Sequence, residues 1–163
     1  MSDRPLQPIQ NFYRAETAIC YGCGRNNAQG LHIQTYWDGQ VGVCHFTPRP
    51  EHTAFPGVVY GGLLASLIDC HTIGTAIAAM HDAEGRAPGS EPEITCVTGY
   101  LNVRFHKPTP MGPELRLEAH IAELSGRKGL VKCELFAEGM VTVSAEVLAV
   151  RVTGRTLDDV RRS

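Results

Sequence analysis

The stretch Gly61-Gly62-Leu63-Leu64-Ala65-Ser66-Leu67-Ile68-Asp69-Cys70-His71-Thr72-Ile73-Gly74-Thr75-Ala76-Ile77-Ala78-Ala79-Met80 decides how this chain folds. Leu63, Leu64, Leu67, Ile68, Ile73, Ile77 and Met80, with alanines between them, make a helix that is apolar almost all the way round. Its only formally charged residue is Asp69. Such a segment either crosses a membrane or is wrapped by its own protein. Asp69 and His71, the lack of flanking Lys or Arg anchors and a position mid-chain among strands favour the second.

Downstream, residues 85–92 form a linker rich in Gly and Pro, and four strand candidates follow at 94–105, 114–123, 128–138 and 140–152. The second alternates most cleanly, with Leu115, Leu117, Ala119 and Ile121 on one face and Glu114, Arg116, Glu118 and His120 on the other. Upstream, residues 31–36 and 41–46 read as strands joined by a hairpin turn with Asp38-Gly39 at its centre. A loop containing Pro48, Pro50 and Pro56 leads from there to the helix. The order strand, strand, helix, four strands predicts an α+β fold with a curved antiparallel sheet wrapped around one long central helix. One sheet cannot cover a helix on every side, so a second copy of the chain is expected to cover the rest.

Residues 1–20 read as a polar leader with one short helix near Ile9–Tyr13, residues 21–153 as the domain, and residues 154–163 as a charged tail. At 163 residues and 43% hydrophobic, the chain is one domain with enough apolar side chains for a full core. A formal charge of −2 supplies no basic excess for nucleic-acid binding. The first residues lead into no apolar run, so no secretory signal is expected, and the six cysteines read as reduced thiols in the cytoplasm.

Asp69 carries the chemical interest, because a carboxylate on an apolar helix is costly unless it is paired or put to use. Gly61-Gly62 opens the helix, where paired glycines let a ligand approach the backbone and free first-turn N–H groups can hold an oxyanion. Gly62 and Asp69 share a helical face but are separated by about 10 Å along the axis. One carbonyl cannot touch both, which points to Asp69 acting with the helix start of a partner chain. His71 projects about 200° away from Asp69 around the helix, so the two form no dyad. Cys20-x-x-Cys23 has no second Cys pair, and Cys44, Cys70, Cys96 and Cys133 stand alone in the sequence. The pair reads as a structural loop, and no metal is expected.

Phe55-Pro56-Gly57-Val58-Val59-Tyr60-Gly61-Gly62, continuing to Asp69, resembles the helix signature of hotdog-fold acyl-CoA thioesterases, Gly-x-x-His-Gly-Gly followed by an acid on the helix. Residues 97–105 with Pro108 and Gly112 resemble the strand that follows in that family, of the phenylacetyl-CoA and 4-hydroxybenzoyl-CoA thioesterase type. Cys20-Tyr21-Gly22-Cys23-Gly24, with Asn26-Asn27 and Gly30-Leu31, resembles an N-terminal element of one branch. The resemblance implies a hotdog domain that hydrolyses an acyl-CoA thioester as a homodimer or a dimer of dimers. It makes Asp69 the nucleophile or general base, and the Gly62 amide, helped by Gly61, the group that polarises the thioester carbonyl. Thr98 falls where that family orients the water or the acid.

Two positions depart from the pattern: Tyr60 replaces the usual His, and Ala54 replaces an Asn. A phenol donates a hydrogen bond but is a poor base at neutral pH. Tyr60 is therefore expected to orient the thioester or to pack, and His52 either stands in for the lost polar group or is an exposed loop histidine. Asn102, Arg104, Lys107, Arg127 and Lys128 are the candidates for contacting the substrate and the CoA phosphates. No metal or redox cofactor, nucleic acid or membrane is implied. The alternatives are a non-catalytic acyl-CoA binder and, against the Asp69/His71 geometry, a hotdog dehydratase.

Overall fold

The computed structural model describes residues 6–153. The 154–163 tail and the first five residues of the leader lie outside the described residues. A short 3-10 helix, Ile9–Phe12, is followed by strands β1 (Tyr36–Trp37) and β2 (Val41–Phe46) and a second 3-10 turn, Pro50–His52. Then come helix α1 (Gly61–Ala83) and strands β3 (Thr95–Phe105), β4 (Leu115–Ser125), β5 (Lys128–Ala137) and β6 (Met140–Val152). The strands form one antiparallel sheet in the order β1-β2-β4-β5-β6-β3. This is the arrangement expected from the helix and strand patterns, one long α-helix held by one sheet, and it is the hotdog fold that the resemblance implied.

The alternation in the strands explains the packing. Leu115, Leu117 and Ala119 of β4, Val131, Cys133 and Leu135 of β5, and Val143, Val147 and Ala149 of β6 form the buried inner face against Leu64, Leu67 and Ile68 of α1. Among the described residues α1 is the one helix long and apolar enough to cross a membrane, and most of it is buried inside the protein. A stripe of Gly62, Ala65, Ser66, Asp69, Cys70 and Ile73 stays half-exposed. Those positions recur at the three- and four-residue spacing of one helix face.

Residues 31–35 differ from the expected strand. Leu31, Ile33 and Thr35 are buried, so the alternation is real, but β1 is confined to Tyr36–Trp37. His32 sits at a φ of 55°, which breaks an extended run. The backbone is also already engaged: Leu31 and Ile33 N–H donate to Tyr21 and Gly22 carbonyls, and Thr35 O accepts from Ile9 N–H. Burial under the N-terminal segment, rather than pairing in the sheet, produced the pattern. That segment, expected as a leader, buries Ile9, Gln10 and Ala18.

His71 is fully buried on the sheet side of α1. Its Nε2–H donates to Gly42 O at 3.2 Å, and Nδ1 accepts from Thr35 Oγ1 at 3.0 Å. Gln10 completes the network, since its Oε1 accepts from Thr35 N–H at 2.9 Å. One donating and one accepting nitrogen is the neutral imidazole, and burial pushes the His71 pKa down to about 3.

At the sheet's far edge, β3 presents eleven residues with no neighbouring strand on one side among the described residues. Val97, Tyr100, Leu101 and Phe105 are exposed along it. A long edge strand with apolar side chains is a ready template for pairing with another strand.

Candidate active site

The face of β3 that meets the helix is set by a single irregularity. Thr98 pairs with Ala149 and Tyr100 with Leu148, leaving Gly99 as the extra residue of a bulge. A Cβ at Gly99 would stand 3.0 to 3.3 Å from Val150, Leu148 and the Leu148 carbonyl, so the close approach suits glycine. The extra residue reverses the alternation. Cys96 and Thr98 face α1 before it, whereas Leu101, Val103 and Phe105 do so after it.

Thr98 thereby reaches the helix. Its hydroxyl donates to Asp69 Oδ1 at 2.5 Å, within one chain. The bond fixes one carboxylate oxygen and leaves Oδ2 as the acceptor for a ligand or water. Asp69 and Thr98 border a cavity of about 230 Å³ between α1, β3 and the N-terminal segment, lined also by Tyr13, Ile73, Ile77 and Ile94. A mostly apolar hollow with a carboxylate at its rim is the usual build of a small-molecule site.

At the other end of the exposed stripe, α1 begins with Tyr60 in the cap position and no side chain capping the first turn. Leu63 and Leu64 N–H turn back to Tyr60 O, so the Gly61 and Gly62 amides head the helix. The Tyr60 ring lies over Gly62: a Cβ there would come within 2.4 to 2.6 Å of ring atoms Cε1 and Cζ and of the hydroxyl oxygen. Glycine at 62 is what admits the ring, and the arrangement puts a phenol beside two helix-start amides.

His52 does not join this group. Its Nδ1 accepts from Arg49 N–H at 3.0 Å, its ring stacks at 5.8 Å on Phe46, and its carbonyl receives Tyr60 N–H at 2.8 Å. It braces the loop, and burial holds its pKa below the ordinary imidazole value. Asn102 and Arg104 fall after the bulge and face outward, lining a separate groove of about 460 Å³ on the outer sheet face with Lys132, Ser144 and Glu146. Lys128 lines another outer hollow beside Tyr100 and Leu148, next to Arg127 in the exposed β4–β5 turn. Lys107 is exposed and reaches the Met140 sulfur at 3.9 Å. The expected substrate contacts therefore lie apart from Asp69 in a single chain: one extra residue in β3 turns Asn102 and Arg104 to the opposite face, and Lys107, Arg127 and Lys128 lie beyond that strand.

Sequence reading missed Cys70. It sits on α1 next to Asp69, and its Sγ is 3.9 Å from Cys20 Sγ, with Cys23 completing a group whose sulfurs lie within 4.8 Å of one another. Hydrogen bonds from Cys23 and Cys70 hold the Cys20 thiol far below its ordinary pKa, and the reciprocal bonds from Cys20 push Cys70 and Cys23 up. Cys70 is therefore not isolated. The signal available beforehand was its place beside Asp69, the one acid between Gly61 and Met80.

Known proteins match this architecture. A thioesterase superfamily protein from Shewanella loihica PV-4 is 40% identical, covering 74% of this chain and 91% of that one, with a TM-score of 0.61. The acyl-coenzyme A thioesterase THEM4 of Xenopus laevis is 25% identical over 112 residues, 68% of this chain and 45% of that protein. The chain spans less than half the length of the curated relatives it matches. The smu.793 protein of Streptococcus mutans, solved bound to acetyl CoA, shares the fold at 11% identity, covering 69% of this chain and 82% of that one, with a TM-score of 0.58. The thioesterase superfamily model matches residues 56–144, from the loop before α1 into β6 and more than half of the chain. The protein belongs to the thioesterase superfamily.

Proposed function

We propose that the protein hydrolyses an acyl-CoA thioester to the free acid and CoA, as a homodimer in the cytoplasm. The observation that carries this reading is the Asp69–Thr98 pair at the rim of the apolar cavity. The family, the relatives named acyl-coenzyme A thioesterases and the acetyl-CoA-bound fold neighbour support an acyl-CoA as the substrate class.

In this mechanism Asp69 Oδ2 takes a proton from water as its oxygen bonds to the thioester carbon. The carbonyl oxygen becomes an oxyanion, which the Gly62 amide of a partner's helix stabilises with Gly61 and the Tyr60 hydroxyl beside it. The tetrahedral centre then collapses, the C–S bond breaks with its electron pair on sulfur, and the proton held by Asp69 passes to the thiolate. The partner is needed because Asp69 and Gly62 of one helix stand about 10 Å apart. Joining two chains through the β3 edge would also cover Val97, Leu101 and Phe105. Direct attack by Oδ2 is the other route the same residues allow. A single turnover in heavy-oxygen water that leaves label in the Asp69 carboxylate establishes the anhydride route, since attack by an activated water labels only the product acid.

The test is thiol release from short, medium, long and aromatic acyl-CoAs, run beside Asp69→Ala and Asp69→Asn. Both variants should lose about 10²- to 10⁴-fold in turnover while still folding. Release that survives in Asp69→Ala removes Asp69 from the mechanism. Tyr60 at the helix start favours one second reading, a protein that binds acyl-CoA without cleaving it. Binding without thiol release by the wild type would establish that reading. A dehydratase is disfavoured by His71, whose two nitrogens are committed to Thr35 and Gly42.

A further inference from the structure

Cys20 and Cys70 are fifty positions apart in the chain, yet with Cys23 they form one sulfur cluster. Two local features build the approach. The loop after Cys20 closes on itself, with Gly24 N–H donating to Cys20 O at 2.8 Å, and is pinned to residues 31–33 by the Leu31 and Ile33 bonds. Gly22 then presses on the helix so closely that a Cβ there would stand 2.3 Å from Cys70 Sγ. Only a residue without a side chain lets the loop deliver its two cysteines to α1.

The spacing selects the chemistry. A disulfide needs its sulfurs at about 2.05 Å. A tetrahedral ion with metal–sulfur bonds of about 2.3 Å separates its sulfurs by about 3.8 Å. The Cys20–Cys70 separation of 3.9 Å matches the second. Cys-x-x-Cys is also the usual two-ligand chelate of zinc sites. Cys20 is exposed and its two partners are half-buried at the wall of the Asp69 cavity, so an ion has an entry path and an open side.

We propose that Cys20, Cys23 and Cys70 form a three-thiolate site for a thiophilic divalent metal, zinc foremost, with its fourth position facing the Asp69 cavity. Each thiol that binds releases its proton to solvent and becomes a thiolate. The expectation of no metal rested on Cys70 standing alone, and the tertiary contact removes that ground. The site does not depend on the hydrolytic reading, because thiol release from acyl-CoA and metal uptake are measured separately.

The test uses the full chain, reduced, stripped of metal and titrated with Co²⁺. One equivalent should bind per chain with a thiolate-to-cobalt charge-transfer band, and Zn²⁺ should bleach it. Cys20→Ser, Cys23→Ser and Cys70→Ser should each weaken uptake roughly tenfold or more. Cys96→Ala, which alters the same cavity without touching the cluster, should bind as the wild type does. Circular dichroism checks that each variant is folded, and the wild-type titration decides the matter even where a variant is not. A reduced wild type that takes up no cobalt, or binds it without the charge-transfer band, overturns the proposal. So does undiminished uptake by a folded Cys70→Ser. A chain that loses two hydrogens and cross-links Cys20 to either partner with zinc present overturns it in favour of a disulfide.

Discussion

Lowering the pH from 7 to 5 should cost the protein about 2 kcal/mol of stability through His71 alone. The imidazole is fully buried between Thr35 and Gly42, and burial pushes its pKa down to about 3, against about 6.5 in an unfolded chain. The folded state therefore binds fewer protons than the unfolded state between those values, and stability rises with pH across that window. The contribution is complete above about pH 6.5 and falls as the pH drops toward 3, by about 1.4 kcal/mol for each unit. Over the 1.5 units from about 6.5 to 5 the loss is about 2 kcal/mol. Urea unfolding at pH 7, 6 and 5, followed by the fluorescence of the single tryptophan, Trp37, measures it at one fixed protein concentration. His71→Asn, which cannot titrate, isolates the effect from other ionising groups. The variant should be less stable at pH 7, because the Thr35 and Gly42 partners lose their fit, but its stability should depend less on pH. Equal pH slopes in the two proteins would refute the reasoning.

Thr98→Ala should lower turnover about tenfold with little change in KM, and Thr98→Ser should restore most of it, because the hydroxyl positions Asp69 Oδ1. A change in KM alone would place Thr98 in binding instead. Gly62→Ala should leave stability level or raise it by up to about 1 kcal/mol, since alanine favours the helix and Tyr60, at 58% exposure, is free to swing away. The same change should depress thiol release by displacing the phenol, and unaltered release would remove Tyr60 from the site. Leu101→Lys should shift the chain toward monomer in sedimentation velocity and cut activity in proportion, and an intact, active dimer would exclude the β3 edge as the interface.

Much of the architecture was legible in order. The apolar run from Gly61 named its helix, and Met140–Val152 ended where its alternation ended. Asp69 stood out because nothing else from Gly61 to Met80 carries a formal charge, and the structure gives it a partner in Thr98. Less legible was the side of the sheet that Asn102 and Arg104 face. A bulge at Gly99 is one residue of slip, and strict alternation read through it puts later side chains on the wrong face. Leu31–Thr35 misled for a related reason, since an alternating burial pattern records what lies above and below a segment, not which backbone it pairs with.

Local pattern determined the helix, the strands and the odd acid, because helix period, strand period and the cost of burying a charge act on neighbours along the chain. Tertiary structure alone decided that Cys70 meets Cys20 and Cys23, that His71 is locked to Thr35 and Gly42, and that Tyr60 lies on Gly62. Most of those meetings join residues tens of positions apart. They exist because a loop without a side chain at Gly22, a sheet of fixed register and a helix of fixed pitch are packed against one another.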